Sequence, residues 1–327
     1  MIDDEEVVCR DLHGNLHRVR LATRDGFATP ASMLVQQIVT GPNDVPFLRK
    51  YVPAEAGRRD PRLYDLLDNE IRMIAQLTRV LGGRAGEVPV LAGYNVDVEE
   101  PFVLLRPYAG QPAADGLRLL DQDGKRRFQV GVLRALHLIG AAGVVHGALS
   151  LDVLRWNGSI VQLVDFEWAQ GAGEPRRAGT GPRQSPERLQ GTGVADPRDD
   201  VWSAGVLIRE LVLGRQALAA PADQSADPVR LRERLDGVFR PVEQRPTAAD
   251  LLRRMHVTAP DVRPVDVLAG FGDGYRMFET MCRRKGGAPP GAPAPKAEPV
   301  PGRRGWRRLF AGGRGGRDGG RTARAEA

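Results

Sequence analysis

The residues best equipped for chemistry are Lys50 in "FLRKYV", Glu70 in "LLDNEIRM", and Asp165 with Glu167 in "VDFEWA", with His146 upstream in "VVHGALSLDVLR". Ammonium and carboxylate groups handle phosphate anions and hard cations. Taken singly, each has an ordinary explanation. Lys50 reads as a solvated charge on a strand, Glu70 as an exposed helix residue, and Asp165 as the end of an apolar run. Their meaning must come from their order along the chain. The only cysteines, Cys9 and Cys282, lie far apart, so neither a disulfide framework nor a cysteine metal cluster is expected, and a reducing cytoplasm is the expected setting. The acidic start "MIDDEEVV" lacks the basic and apolar regions of a signal peptide.

The elements that must position these residues are legible in outline. Leu16 to Val52 is β-rich: "LHRVRLA", "SMLVQQIVT" and "PFLRKYV" are separated by the turn signals "RDG" and "TGPND". "DPRLYDLLDNEIRMIAQLTRVLGG" is the clearest helix. Leu63, Leu66, Leu67, Ile71, Ile74 and Leu77 recur at helical spacing, Pro61 suits the start and Gly82 the stop. "VPVLAGYNVDVEEPFVLLRPY" predicts a hairpin turning near "VEEP". "RRFQVGVLRALHLIGAAG" and "DDVWSAGVLIRELVLG" predict apolar helices, and Thr247 opens a short one in "TAADLLRRM". A β-rich third with one helix thus precedes a helix-rich half, which suits an α+β protein with two lobes.

With those elements in order, roughly Leu16 to Met255 resembles the protein kinase superfamily. His146 to Arg155 matches the catalytic loop and "VDFEWA" the metal-binding DFG segment. "GTGPRQSPE" matches the end of an activation segment, "DDVWSAG" the helix after it, and "EQRPTAADLL" a late C-lobe segment. The resemblance implies an α+β, bilobal protein-kinase-like fold with a β-rich N-lobe (1–105) and a helical C-lobe (106–285), while residues 286–327, Gly, Pro, Ala and Arg with almost nothing to bury, read as a disordered basic tail. It implies that Lys50 and Glu70 pair to steady phosphates, that Asp165 holds Mg²⁺, and that the Tyr108 amide meets an adenine ring beside the gatekeeper Leu105. It further implies that His146 and Phe166 stack near Ile74, that Asp200 bonds the catalytic-loop backbone, and that Glu187 pairs with Arg245. Glu167 stands in place of the DFG glycine, as an added metal ligand or as a charge that repels phosphate.

The same resemblance exposes what is missing. The position of the catalytic aspartate is Ala148, that of the loop lysine is Ser150, and that of the second metal ligand is Val153. None supplies the group that the transfer needs, so no catalytic residue is assigned. Gly147 replaces the arginine that grips an activation-segment phosphate in many kinases. "GFATPASM" reads either as an ordinary turn between strands or as a glycine-rich lid that keeps one glycine, with Ala28, Pro30 and Ala31 where backbone amides should approach phosphates. Fold-keeping residues stay while reaction-bearing ones are gone. The expectation is therefore a pseudokinase of bacterial style acting as a nucleotide-sensing or scaffolding module, with ATP and Mg²⁺ weakly held if at all. The alternatives are an active atypical Ser/Thr kinase using Asp152 or Glu167, and an interaction domain that binds no nucleotide.

Charge separates body from tail. Residues 286–327 carry nine Lys or Arg against three Asp or Glu, whereas the rest of the chain holds 38 of each. A neutral body disfavours a broad nucleic-acid face. Within the tail, "RRGWRRLF" (303–310) combines arginine with Trp306, Leu309 and Phe310. It reads either as a solvated arginine-rich linker or as a foot on an anionic membrane surface, ahead of nucleic acid. A protein partner and a cytoplasmic, peripherally membrane-associated location complete the expectations.

Overall fold

The computed structural model describes residues 4–117, 120–218, 222–225 and 227–262, all within one compact unit, Met1–Gly287. The expected tail at 286–327, with its basic–aromatic segment 303–310, and Cys282 lie outside the described residues.

The first half is strand-rich. Strands β1 (Asp4–Arg10), β2 (Leu16–Phe27), β3 (Val35–Thr40) and β4 (Pro46–Tyr51) lead into helices α1 (Ala54–Arg59) and α2 (Arg62–Leu81). Strands β5 (Leu91–Asn95) and β6 (Phe102–Leu105) follow. Together the strands form a closed barrel in the order β1-β2-β3-β4-β6-β5, antiparallel throughout. Strand β1 extends the β-rich region upstream of Leu16, where the sequence reading begins it, and closes the sheet by pairing with both β2 and β5.

The two-residue period of the strands sorts their side chains. On β6, Phe102 and Leu104 join Cys9, Leu21 and Val39 in one apolar cluster, while Val103 and Leu105 face the core that contains α2. Leu48 on β4 and Val52 just after it lie on that second face, and the same alternation puts Lys50 there, fully buried. Helix α2 presents Leu66, Leu67, Ile71, Ile74 and Leu77 to this core. It ends at Gly82 in the left-handed conformation (φ 63°), which glycine adopts without a Cβ clash.

The second half is helical with short ladders. Strand β7 (Gln111–Pro112), α3 (Ala113–Gly116) and α4 (Gln122–Ala141) precede β8 (Val144–Val145), β9 (Leu154–Trp156), β10 (Val161–Leu163) and β11 (Gln170–Gly171). Helices α5 (Pro186–Gln190), α6 (Pro197–Leu213), α7 (Val229–Arg234) and α8 (Ala248–Arg254) complete it. Thr247 caps α8 through a reciprocal capping box with Asp250. A strand-rich first part and a helical remainder are compatible with a bilobal kinase-like architecture. No helix among the described residues is long and apolar enough to cross a membrane.

Candidate functional site

Three elements bring the candidate residues together: β4 carries Lys50, α2 carries Glu70, and the turn after β10 carries Asp165 and Glu167. The Lys50 ammonium lies 2.8 Å from Glu70 Oε1, 3.1 Å from Asp165 Oδ1 and 2.8 Å from Glu167 Oε1. All four side chains are buried. Burial disfavours the charged ammonium, but Glu70, Tyr108, Glu167 and Asp165 outweigh it and hold the lysine pKa well above its ordinary value. For Glu70, burial dominates. Lys50 opposes it, Glu167 and Asp165 reinforce it, and the pKa is pushed up to about 8.

The sequence reading left the role of Glu167 open; the geometry gives it partners. Its Oε1 accepts from the Ser32 hydroxyl, and its Oε2 accepts from the Met33 backbone N–H at 2.9 Å. Ser32 and Met33 belong to the turn between β2 and β3, the segment aligned with the phosphate lid. Asn69, next to Glu70 on α2, fixes the backbone around Glu167. Its amide donates to the carbonyls of Phe166 (3.3 Å), Glu167 (2.9 Å) and Ala169 (2.8 Å). Asp165 itself has a left-handed backbone (φ 61°), uncommon for a residue with a Cβ and held by its surroundings.

Tyr108 is half-buried. Its ring meets Phe27 edge-on with centroids 6.0 Å apart, and its hydroxyl is enclosed without a hydrogen-bond partner. Burial raises the phenol pKa well above its ordinary value, against the pull of Lys50. Arg155 lies over the Phe27 ring at 5.3 Å and donates to the Ala109 and Gly110 carbonyls. The sequence reading assigned Tyr108 through its amide; the structure shows that its side chain also turns toward Lys50's surroundings.

Ala148, Ser150 and Val153, which the resemblance places in a catalytic loop, line a cavity of about 390 Å³ together with Ala31, Asp165, Glu167, Trp168, Thr180 and others. Ser150 caps the short turn Leu151–Val153 by accepting from the Asp152 backbone N–H at 3.2 Å. Asp152 is exposed. His146 Nε2 lies 3.0 Å from the Val164 carbonyl, its ring meets Phe166 at 4.9 Å, and burial lowers its pKa to about 4, so it is neutral near pH 7. Asp200 accepts from the backbone N–H groups of His146 (2.6 Å) and Gly147 (2.8 Å). Burial raises its pKa to about 6 against the pull of those bonds. Arg245 meets both Glu187 oxygens, at 3.1 and 3.2 Å.

One neighbour of this loop escaped sequence reading. Gly147 has φ 70°, and a Cβ there would run into the Arg188 guanidinium. Arg188, from α5, is buried and donates to Gln170 Oε1 at 2.7 Å and to the Trp168 carbonyl at 3.4 Å. A guanidinium thus stands beside the loop although the loop's own arginine position is glycine. The missing side chain at Gly147 is the only sequence signal that another group fills that space.

These residues do not fit a metal-bound triphosphate as they are arranged. The groups that would meet phosphate, Lys50 and the lid, already hold the Glu167 carboxylate. Val153 offers a hydrocarbon where a second metal would need oxygen. Among the described residues no group of three or more His, Cys, Asp or Glu is arranged to hold a metal ion.

No protein-family model matches the chain. It is 24% identical over 180 residues to "Aurora kinase" of Dictyostelium discoideum, an alignment covering 53% of this chain and 46% of that protein. It is 26% identical over 178 residues to "Carbon catabolite-derepressing protein kinase" of Candida glabrata, covering 50% of this chain and 27% of that protein. The chain therefore spans less than half the length of either relative. With the Lys50–Glu70–Asp165 cluster and the His146–Phe166–Asp200 scaffold, this distant similarity supports a protein-kinase-like domain.

Proposed function

We propose that this chain is a catalytically impaired kinase-like domain, a regulatory module that acts by engaging another protein rather than by transferring phosphate. The observation that carries the reading is the cavity wall at Ala148, Ser150 and Val153. A methyl group accepts no proton, a serine hydroxyl carries no charge for a γ-phosphate, and an isopropyl group binds no cation. Loss of a positioned base alone costs about 10²–10⁴ in rate. The other two losses fall on the same transition state.

An active atypical kinase would need Asp152 or Glu167 in a new role. Asp152 is exposed and tied to Ser150, and Glu167 is held by Lys50, Ser32 and Met33. The Glu167 contacts instead favour the second reading, a domain that excludes nucleotide. Contact with an anionic membrane through residues 303–310 is a separate proposal.

The test is radiolabelled phosphate transfer from ATP to the chain itself and to a generic basic protein, with Asp165→Ala as blank. Wild type and Ala148→Asp are both expected to match the blank. Wild-type transfer that Asp165→Ala abolishes would overturn the reading and promote the atypical kinase.

A further inference from the structure

Two hydrogen-bond donors, the Ser32 hydroxyl and the Met33 backbone N–H, and one ion-pair partner, the Lys50 ammonium, converge on one carboxylate in the cleft. They come from β4 and from the lid turn between β2 and β3, far from Glu167 in sequence. A buried carboxylate needs such partners, because an unpaired anion away from water is costly. The same donor types, one ammonium and lid groups including a backbone amide, suit a phosphate group equally well. Each carboxylate oxygen is matched here, so a second anion would have to displace Glu167 to reach Lys50 and the Ser32 and Met33 donors, while Ser150, Thr180, Arg177 and Arg183 line the outer part of the same cavity. Asp165, which also lies against Lys50, repels an anion rather than attracting it.

We propose that Glu167 is a tethered stand-in for phosphate. It latches the lid onto the lower half of the cleft and is the residue that determines which ligands the cleft admits, excluding polyphosphate while the latch is closed. The inference rests on the kinase-like reading of the cleft and is independent of whether phosphate can be transferred. Its energetic form is a conformational tax: a ligand that needs the open cleft binds with its affinity reduced by the fraction of molecules that are open. The latch is separable from the fold around it. Asn69 holds the backbone carbonyls of Phe166, Glu167 and Ala169, so removing the Glu167 side chain leaves that turn anchored. Lys50 keeps Glu70 and Asp165 as partners.

The experiment is calorimetric titration of the full chain with inorganic tripolyphosphate and, separately, with ATP, each with and without Mg²⁺. Tripolyphosphate reports on the phosphate end of the cleft whatever the state of the Tyr108–Phe27 end. Glu167→Ala is expected to bind tripolyphosphate at least about tenfold more tightly than wild type, as expected if the open form is about a tenth of the population or less. The gain should vanish in Glu167→Ala/Lys50→Met. Glu167→Gln, which keeps the shape and removes the charge, and Ser32→Ala, which removes one latch donor, should show smaller gains in the same direction. They keep the test open if the alanine variant folds poorly. A gain for tripolyphosphate without one for ATP still supports the latch. Folded variants that bind both ligands no better than wild type would overturn it, and so would a gain that survives loss of Lys50. A phosphate-transfer result bears only on the proposed function, so failure of either idea is recognisable separately.

Discussion

Taking a lysine out of water costs several kcal/mol unless opposite charge replaces its hydration. At Lys50 the side chains of Glu70, Asp165 and Glu167 do so, and burial, reinforced by Glu167 and Asp165, raises the pKa of Glu70. Because that pKa rises from 4.5 to about 8 on folding, the native state holds a proton that the unfolded chain releases. The stability from this group is complete below about pH 4.5 and is lost as pH rises through about 8. Glu70→Gln should therefore flatten the fall in melting temperature between about pH 5 and pH 8.5 relative to wild type. An unchanged pH profile would show that Glu70 is ionised in the folded protein. Gly147 gives a second expectation at this scale. Its left-handed backbone and the Arg188 guanidinium leave no room for a methyl group, so Gly147→Ala should destabilise by about 1–3 kcal/mol in chemical denaturation. Gly158→Ala, in open space with a similarly positive φ, separates backbone strain from collision with Arg188.

Helix α2 does two jobs with adjacent residues. Its apolar positions fill the core, while Asn69, Glu70, Arg72 and Gln76 are buried polar groups. Asn69 reaches the turn after Asp165, Gln76 reaches the Ala142 carbonyl at 3.3 Å, and Arg72 meets Glu174 at 2.6 Å. A helix that carries such bonds ties the strand-rich part to the helical part, so its position sets the geometry around Lys50. Asn69→Ala should leave the carbonyls of Phe166, Glu167 and Ala169 without their side-chain donor. A loss of about 1–3 kcal/mol is expected, with faster amide hydrogen exchange confined to residues 164–171 and their contacts. Exchange that quickens uniformly across the protein would contradict so local a role.

The body of the protein is braced far from the cleft as well as within it. Arg245 is almost fully buried. It bonds Glu187, the Arg198 and Arg240 carbonyls, and lies over the Trp202 ring at 5.1 Å. Burial lowers its pKa, yet a guanidinium keeps its charge. Removing one member of such a set strands the other, so Arg245→Ala should cost about 3–5 kcal/mol in equilibrium unfolding. Arg253→Ala, at an exposed pair, should stay within about 0.5 kcal/mol. At the other end β1 closes the barrel and buries Cys9. Deleting residues 1–11 should lower the melting temperature by exposing Leu21 and Val39; an unchanged value would make the closure incidental.

Much of this was written locally in the chain. Helix α2 begins after Pro61 and stops at Gly82 because proline suits the first turn and glycine the left-handed stop. The alternation in "FVLL" places one strand between two apolar surfaces, and Thr247 with Asp250 starts α8. Periodicity, caps and turn residues act over a few positions, so they can be read without the fold. The absence of a carboxylate at residue 148, a cation at 150 and an oxygen ligand at 153 was equally plain, since a side chain's chemistry does not depend on its neighbours. Strand β1 was not legible, because its mostly exposed acidic residues gain a role only from pairing with β2 and β5. The meaning of Glu167 was not legible either. A second carboxylate beside Asp165 reads as a metal ligand or as a repulsive charge, and its contact with Ser32, 135 positions away, leaves no trace in local spacing. Arg188 stands in the space that Gly147 leaves for the same reason: bonds between distant residues depend on how the chain closes on itself, and local spacing carries no record of that.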